Sequence, residues 1–227
     1  MTDTIERELK LMPEDPALLD RLAAQTHFGE FVVAGRRREV QRNSFFDTAT
    51  RTLSAARVGF RRRTVEGETM ATWSLKANAA VLRGVATRTE IELQLDADLA
   101  PVLALGALRH AARQRGATAL AEEVADALVA DRMPVRTPIL ELRTERTILD
   151  LAAAEHGWQV ELALDRVELL GHAHAELEIE AELKRGDETA LEEVRRAIQA
   201  LGAVRESEGS KLSRAMAHLE ACDCARS

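Results

Sequence analysis

Ala175-Glu176-Leu177-Glu178-Ile179-Glu180-Ala181-Glu182-Leu183 alternates acidic and apolar residues without a break. Successive side chains of a β-strand point to opposite faces, so a strand here stacks Glu176, Glu178, Glu180 and Glu182 on one side and Leu and Ile on the other. Like charges stacked on one face repel unless cations neutralise them. The strand reading therefore predicts a metal ion, a facing set of Arg and Lys, or both. Glu, Ala and Leu are also good helix formers. A helix, however, would spread the glutamates around its cylinder and leave no apolar stripe to dock.

The N-terminal stretch Thr4-Ile5-Glu6-Arg7-Glu8-Leu9-Lys10-Leu11 is evenly balanced by itself. With period two, Glu6, Glu8 and Lys10 share a face and Ile5, Leu9 and Leu11 lie mostly on the other. With helical period, Ile5, Leu9 and Met12 form a stripe and Glu6 pairs with Lys10. The glutamate stretch decides for a strand, and the same design of charged face and apolar back recurs. Arg57 to Thr64 and Thr69 to Lys76 flank Glu66-Gly67-Glu68 as a hairpin. Arg61 and Arg63 share one face with Arg62 opposed, and Thr72, Ser74 and Lys76 oppose Ala71, Trp73 and Leu75. Gln41 to Thr48 is a further strand. Thr87 to Leu95 groups Arg88, Glu90 and Glu92, and Ile139 to Ile148 carries Arg143 and Arg146. Gly157 to Val167 sets Glu161, Ala163 and Asp165 against Trp158, Val160, Leu162 and Leu164.

Helices are expected after Asp15-Pro16, over Asp96 to Arg115 and Ala117 to Met133, and over Glu188 to Leu201 and Ser210 to Ala221. Gly29 and Gly35 read as breaks around a short segment at Phe31. Arg36-Arg37-Arg38 reads as solvated surface, and Glu92, Glu176, His172 and His174 as strand-end side chains in water.

The pentad Glu6-Arg7-Glu8-Leu9-Lys10 resembles the Glu-x-Glu-x-Lys signature of the CYTH, or triphosphate tunnel metalloenzyme, family. Further segments are similar to the family's in order: Asn43 to Thr48, Gly59 to Arg63, Thr72 to Lys76, Arg88 to Glu90, Glu161 to Asp165, the glutamate strand, and Ser210 to Arg214. The resemblance runs from about Thr4 to Leu219. It implies an α+β fold, an eight-stranded antiparallel β-barrel forming a tunnel with a charged lumen and helices packed outside. The expected organisation is one domain over residues 1–219 with a tail at 220–227.

Such a barrel leaves room for only small ligands. The resemblance implies that Glu6, Glu8, Asp165, Glu178, Glu180 and Glu182 hold Mg²⁺ or Mn²⁺. It implies that Lys10, Arg61, Arg63, Lys76, Arg88, Arg146 and Lys211 bind a triphosphate, with Lys10 and Glu180 acting in catalysis. Arg143 and Arg146 cannot both face inward from a regular strand, and the resemblance favours Arg146. The chemistry is coherent, because guanidinium forks match phosphate oxygens and clustered carboxylates suit a hard divalent cation. A purely structural salt-bridge network gains little over apolar packing. The implied activity is metal-dependent triphosphate hydrolysis. A class IV type adenylate cyclase, an RNA, thiamine or nucleoside triphosphatase, and a silent polyphosphate-binding module are the rivals.

Composition narrows the partners. The 227 residues are 46% hydrophobic and 30% charged, as in a soluble globular chain. The formal net charge of -7 argues against bulk nucleic-acid or anionic-membrane binding. The richest apolar run, Leu99 to Leu108, falls short of the ~18 residues of a membrane span. No secretory signal is evident, and a cytoplasmic location is expected. Cys222 and Cys224 read as free thiols on a mobile tail. Aromatic residues are only 3%, with no Tyr. Trp73 and Trp158 fall on apolar faces by alternation, and of Phe45 and Phe46 one must share the charged face. With so little surface for stacking a base or ring, we expect inorganic tripolyphosphate as substrate.

Overall fold

The computed structural model describes residues 5–82, 85–131 and 136–224. The strands are β1 (Ile5–Pro13), β2 (His27–Phe28), β3 (Phe31–Phe46), β4 (Gly59–Val65), β5 (Met70–Leu82), β6 (Val85–Asp96), β7 (Leu140–Ala153), β8 (Trp158–Leu169), β9 (Ala175–Arg185) and β10 (Val204–Glu206). The helices are α1 (Leu18–Ala24), α2 (Thr52–Ala55), α3 (Pro101–Gln114), α4 (Thr118–Asp131), α5 (Glu188–Leu201) and α6 (Lys211–Cys224). Hydrogen bonding follows the order β1-β6-β5-β4-β3-β7-β8-β9, and β9 pairs back onto β1. That is the pairing order of a closed eight-stranded antiparallel barrel with helices outside, as expected from the sequence. No helix among the described residues is long and apolar enough to cross a membrane.

The chain forms two compact units. One comprises Met1–Glu6, Val40–Ala80 and Thr87–Arg143. Its core is the apolar back of β4, β5 and β6, carrying Phe60, Trp73, Leu75 and Ile91, covered by Leu105 and Leu108 of α3 and Leu120 and Val124 of α4. Register fixes the other face: Arg61 opposes Phe45 and Ser74, and Arg63 opposes Asn43 and Thr72. Directly opposed residues lie on the same side of a sheet, so Asn43, Phe45, Arg61, Arg63, Thr72 and Ser74 share one polar face. Phe46 pairs with Phe60 on the apolar side and stacks on Trp73 at 5.6 Å.

The second unit comprises Arg7–Glu39, Val81–Ala86 and Thr144–Ser227. Here Leu9, Leu11, Leu149, Leu162, Leu164 and Ile179 form the apolar back, covered by Leu18 and Leu22 of α1 and Leu191, Val194 and Ile198 of α5. Asp187 caps α5, its Oδ1 accepting from the Thr189 amide at 2.8 Å. On the polar face Lys10 opposes Glu180, and Asp165 opposes Glu178.

Several boundaries differ from the sequence reading. Phe31 to Phe46 is one sixteen-residue strand, not two segments broken at Gly35. A Cβ on Gly35 would lie 2.5 Å from Asp150 Oδ2, so this glycine makes room for a neighbouring carboxylate instead of breaking the strand. Arg36, Arg37 and Arg38 are exposed, as read from the sequence, and Arg37 pairs there with Asp150 at 2.9 Å and Glu161 at 2.6 Å. Helix α6 continues to Cys224, so the segment expected as a mobile tail from residue 220 begins as helix, and Cys222 Sγ lies 3.5 Å from His218 Nε2. The parts of the reading that fall on Thr4 and on Arg132 to Val135 lie outside the described residues.

Candidate functional site

The polar face of the first unit carries a cationic cluster. Glu6 accepts from Arg88 Nε at 2.7 Å and from Lys76 Nζ at 3.2 Å. Lys76 also reaches Glu90 at 2.8 Å. Arg61 lies 3.3 Å from Glu92 and 3.9 Å from Glu90, and Arg63 lies 3.8 Å from Glu92. Arg61, Arg63, Lys76 and Arg88 thus face Glu6, Glu90 and Glu92. Burial raises the Glu90 carboxyl well above its usual range, and neighbouring Glu6 and Glu92 add to that shift against the pull of Lys76. Burial also acts to raise Glu6, but Lys76, a hydrogen bond from Glu90 and Arg88 outweigh it and hold Glu6 low. Glu92, expected at a strand end in water, keeps 38% of its side chain exposed and is at the same time the counter-charge of Arg61 and Arg63. Arg62 points the other way, donating to the Ala97 carbonyl at 3.1 Å with its guanidinium 5.7 Å from the Phe46 and Trp73 rings.

The second unit carries an acidic cluster. Among the described residues, one oxygen from each of Asp165, Glu178 and Glu180 lies within 4.8 Å of the others. Asp165 and Glu178 have no exposed side-chain surface, and Glu8 is 2% exposed. Glu180 accepts from Lys10 at 2.7 Å and Lys211 at 2.8 Å on one oxygen, and from Arg146 at 2.5 Å on the other. Arg146 forks onto both oxygens of Asp165 at 2.7 and 2.5 Å. Lys211 also contacts Glu178 and lies 3.0 Å from Asp165, and Lys10 lies 3.3 Å from Glu8. Burial acts to raise Glu180 and Asp165. It is outweighed at Glu180 by Lys10, Lys211 and Arg146, and at Asp165 by Arg146 and Lys211, so both stay low. These are the facing cations that four stacked glutamates demanded.

The site residues read from sequence divide between the two clusters. Glu6, Arg61, Arg63, Lys76 and Arg88 belong to the first; Glu8, Lys10, Arg146, Asp165, Glu178, Glu180 and Lys211 belong to the second. Glu182 is 31% exposed and pairs with Lys184 at 2.6 Å, outside the carboxylate trio. Sequence reasoning missed Arg214 and Ser207. Arg214 grips Glu176 at 2.6 and 2.9 Å and Glu178 at 2.8 Å, so Glu176 is an ion-paired strand residue and not a solvated end. Its position three residues after Lys211 on one helix face was the available signal. Ser207 donates to Glu178 at 3.0 Å from the β10–α6 connection, where nothing in the sequence marks it. His172 is exposed as expected, and His174, half-buried just before β9, stacks on His218 at 4.3 Å.

The family model described as the CYTH domain matches residues 4–216. No curated protein sequence matches the chain. Among solved structures, the Hippeastrum protein HpAC1 superposes with a TM-score of 0.62 at 22% identity, covering 94% of this chain and 96% of that one. A candidate adenylate cyclase from Bacillus halodurans gives 0.52 at 22% identity, covering 93% and 98%. A candidate adenylate cyclase from Vibrio parahaemolyticus gives 0.51 at 14% identity, covering 95% and 99%. At these identities the likeness is one of fold.

Proposed function

Because the chain belongs to the CYTH family, we propose that it is a metal-dependent triphosphatase that hydrolyses inorganic tripolyphosphate to pyrophosphate and phosphate. The observation that carries the reading is the second unit's compact carboxylate trio with basic side chains on it; the first unit carries a cluster of arginine and lysine of its own. HpAC1, called an adenylyl cyclase, has a dominant triphosphatase activity, and the proposal is in keeping with that.

The acidic cluster fits a hard divalent cation. Its donors are carboxylate oxygens within 4.8 Å of one another, and the groups now on them are the ammonium groups of Lys10 and Lys211 and the guanidinium groups of Arg146 and Arg214. Asp165, Glu178 and Glu180, with buried Glu8 beside them, would hold Mg²⁺ or Mn²⁺. Bound there, the ion supplies Lewis-acid neutralisation of phosphate oxygens. Lys10, Lys211 and Arg146 exchange their carboxylate partners for phosphate oxygens. Within the first unit, Arg61, Arg63, Lys76 and Arg88 offer positive charge to phosphate oxygens. Glu180 is the carboxylate we propose to act in catalysis, accepting a hydrogen bond from the attacking water and so orienting it.

The choice of tripolyphosphate rests on where the aromatic rings are. Trp73 is fully buried against Phe46 and Phe60, and Trp158 stacks on Phe31 and His156. Phe45 alone among these rings shares the face of Arg61. The test is the specificity constant for tripolyphosphate, ATP, thiamine triphosphate and pyrophosphate at saturating Mg²⁺. We expect tripolyphosphate to lead and pyrophosphate to be poor. A higher value for ATP, or cyclic AMP among its products, assigns the chain to nucleotide chemistry instead.

A further inference from the structure

Ser74 is fully buried on β5, between Thr72 and Lys76 on the polar face of the first unit. It opposes Arg61 across the β4–β5 ladder, while its chain neighbours Trp73 and Leu75 fill the apolar core on the reverse side. Its hydroxyl oxygen has no hydrogen-bond partner among the described residues. The neighbours along that face are all engaged. Thr72 Oγ1 accepts from Gln94 at 2.8 Å, Lys76 pairs with Glu90 and Glu6, and Arg61 pairs with Glu92. A serine hydroxyl rotates freely to donate or accept, and buried side-chain polar atoms are paired in the large majority of cases. A hydroxyl left over inside a cationic cluster has a ligand as its natural partner, and among cations that ligand is an anion.

We propose that Ser74 is a further substrate-binding residue, whose hydroxyl donates a hydrogen bond to a phosphate oxygen held by Arg61 and Lys76. It adds to the positive cluster a short-range donor whose direction is set by the strand, where the long cationic side chains are adjustable. No bond is made or broken in this role: the hydroxyl proton stays on Oγ and is shared with the phosphate oxygen. The inference rests on the proposed function, since it names a contact to that substrate.

The test is Ser74→Ala in the full chain, with Ser74→Thr as the variant that keeps a hydroxyl. Two quantities are measured: the thermal midpoint of the free protein, and the affinity for inorganic tripolyphosphate by calorimetry. The hydroxyl has no internal partner, so the free Ser74→Ala protein should be at least as stable as the parent. Its tripolyphosphate Kd should rise about tenfold, a modest charge-assisted hydrogen bond by affinity arithmetic. Ser74→Thr should recover most of that loss. A fall in the thermal midpoint of Ser74→Ala, or its failure to fold, would show a structural role for the hydroxyl and overturn the inference. Equal tripolyphosphate affinity in parent and Ser74→Ala would overturn it as well, while leaving the proposed function standing. If the parent itself binds no tripolyphosphate, the functional reading fails first and the serine's role with it.

Discussion

Arg61, Arg62 and Arg63 are consecutive, yet strand alternation gives them different tasks. Arg61 and Arg63 face the carboxylates of the cationic cluster; Arg62 lies over Phe46 and Trp73 and donates to Ala97. Arg61→Ala and Arg63→Ala should each lower kcat/KM for tripolyphosphate at least about tenfold, the worth of one lost charge-assisted contact. Arg62→Ala should leave kcat/KM within about twofold and cost about 1–2 kcal/mol of stability in urea, from a cation–π contact and a hydrogen bond. Equal kinetic losses from all three would overturn the face assignment. Glu180→Gln gives a different signature. Glu180 is the shared counter-charge of Lys10, Lys211 and Arg146, so its neutralisation leaves buried cations under-compensated. Turnover should collapse and the thermal midpoint fall, while tripolyphosphate binds at least as tightly because three cations are freed for it. Unchanged turnover at limiting Mg²⁺ would remove Glu180 from the proposed metal ligands.

At the scale of elements, alternation and punctuation carried most of the information, and they failed where glycine had a second meaning. The glutamate strand, the β4–β5 hairpin and helix α5 could be read because each pattern is local: period two, a Gly-centred turn, and the turn Arg185-Gly186-Asp187 that leads into the helix. Gly35 was read as a break because a single sequence cannot show Asp150, more than a hundred positions away, filling the space of its missing side chain. Gly186 is the contrasting case. Its φ of +112° is left-handed, and a Cβ would come within 2.4 Å of the Trp158 ring. Gly186→Ala should therefore cost on the order of 2–3 kcal/mol in urea unfolding, through backbone strain and displacement of the indole. A cost under about 0.5 kcal/mol would mean that the β9–α5 turn relaxes without penalty. Which basic side chain meets which carboxylate was the least legible feature. The Lys211–Glu178 and Arg214–Glu176 pairs depend on how α6 lies on β9, which no local period encodes.

For the whole chain, the paired carboxylates fix how stability depends on pH. Glu6, Glu92, Asp165 and Glu180 are all depressed, in each case because neighbouring cations outweigh burial. A carboxylate lowered in the folded state contributes stability that is present above its unfolded value, roughly pH 4, and is lost as pH falls through the folded value. Glu90 has the opposite sign: raised by burial, it costs stability when ionised and ceases to do so on acidification. Among the described residues, these four with Asp15, Asp131, Glu141 and Asp187 are depressed against the one raised group, which predicts a protein that is acid-labile below about pH 4 and steadier above it. Urea melts, which leave ionic strength unchanged, across about pH 3–8 would check this. Glu90→Gln should raise stability at neutral pH; a loss there would contradict the raised value.

Lys10, Lys211 and Arg146 sit on the acidic trio as built-in counter-ions. A divalent cation arriving alone must displace them into a site with nowhere else for their charge to go. A cation arriving with a polyanion finds them a new partner. The two ligands should therefore show positive heterotropic linkage. Mg²⁺ affinity should rise in the presence of tripolyphosphate, and tripolyphosphate affinity should rise by the same factor in Mg²⁺, as thermodynamic reciprocity requires. Free of phosphate, the protein would be a poor scavenger of magnesium despite its density of buried carboxylates.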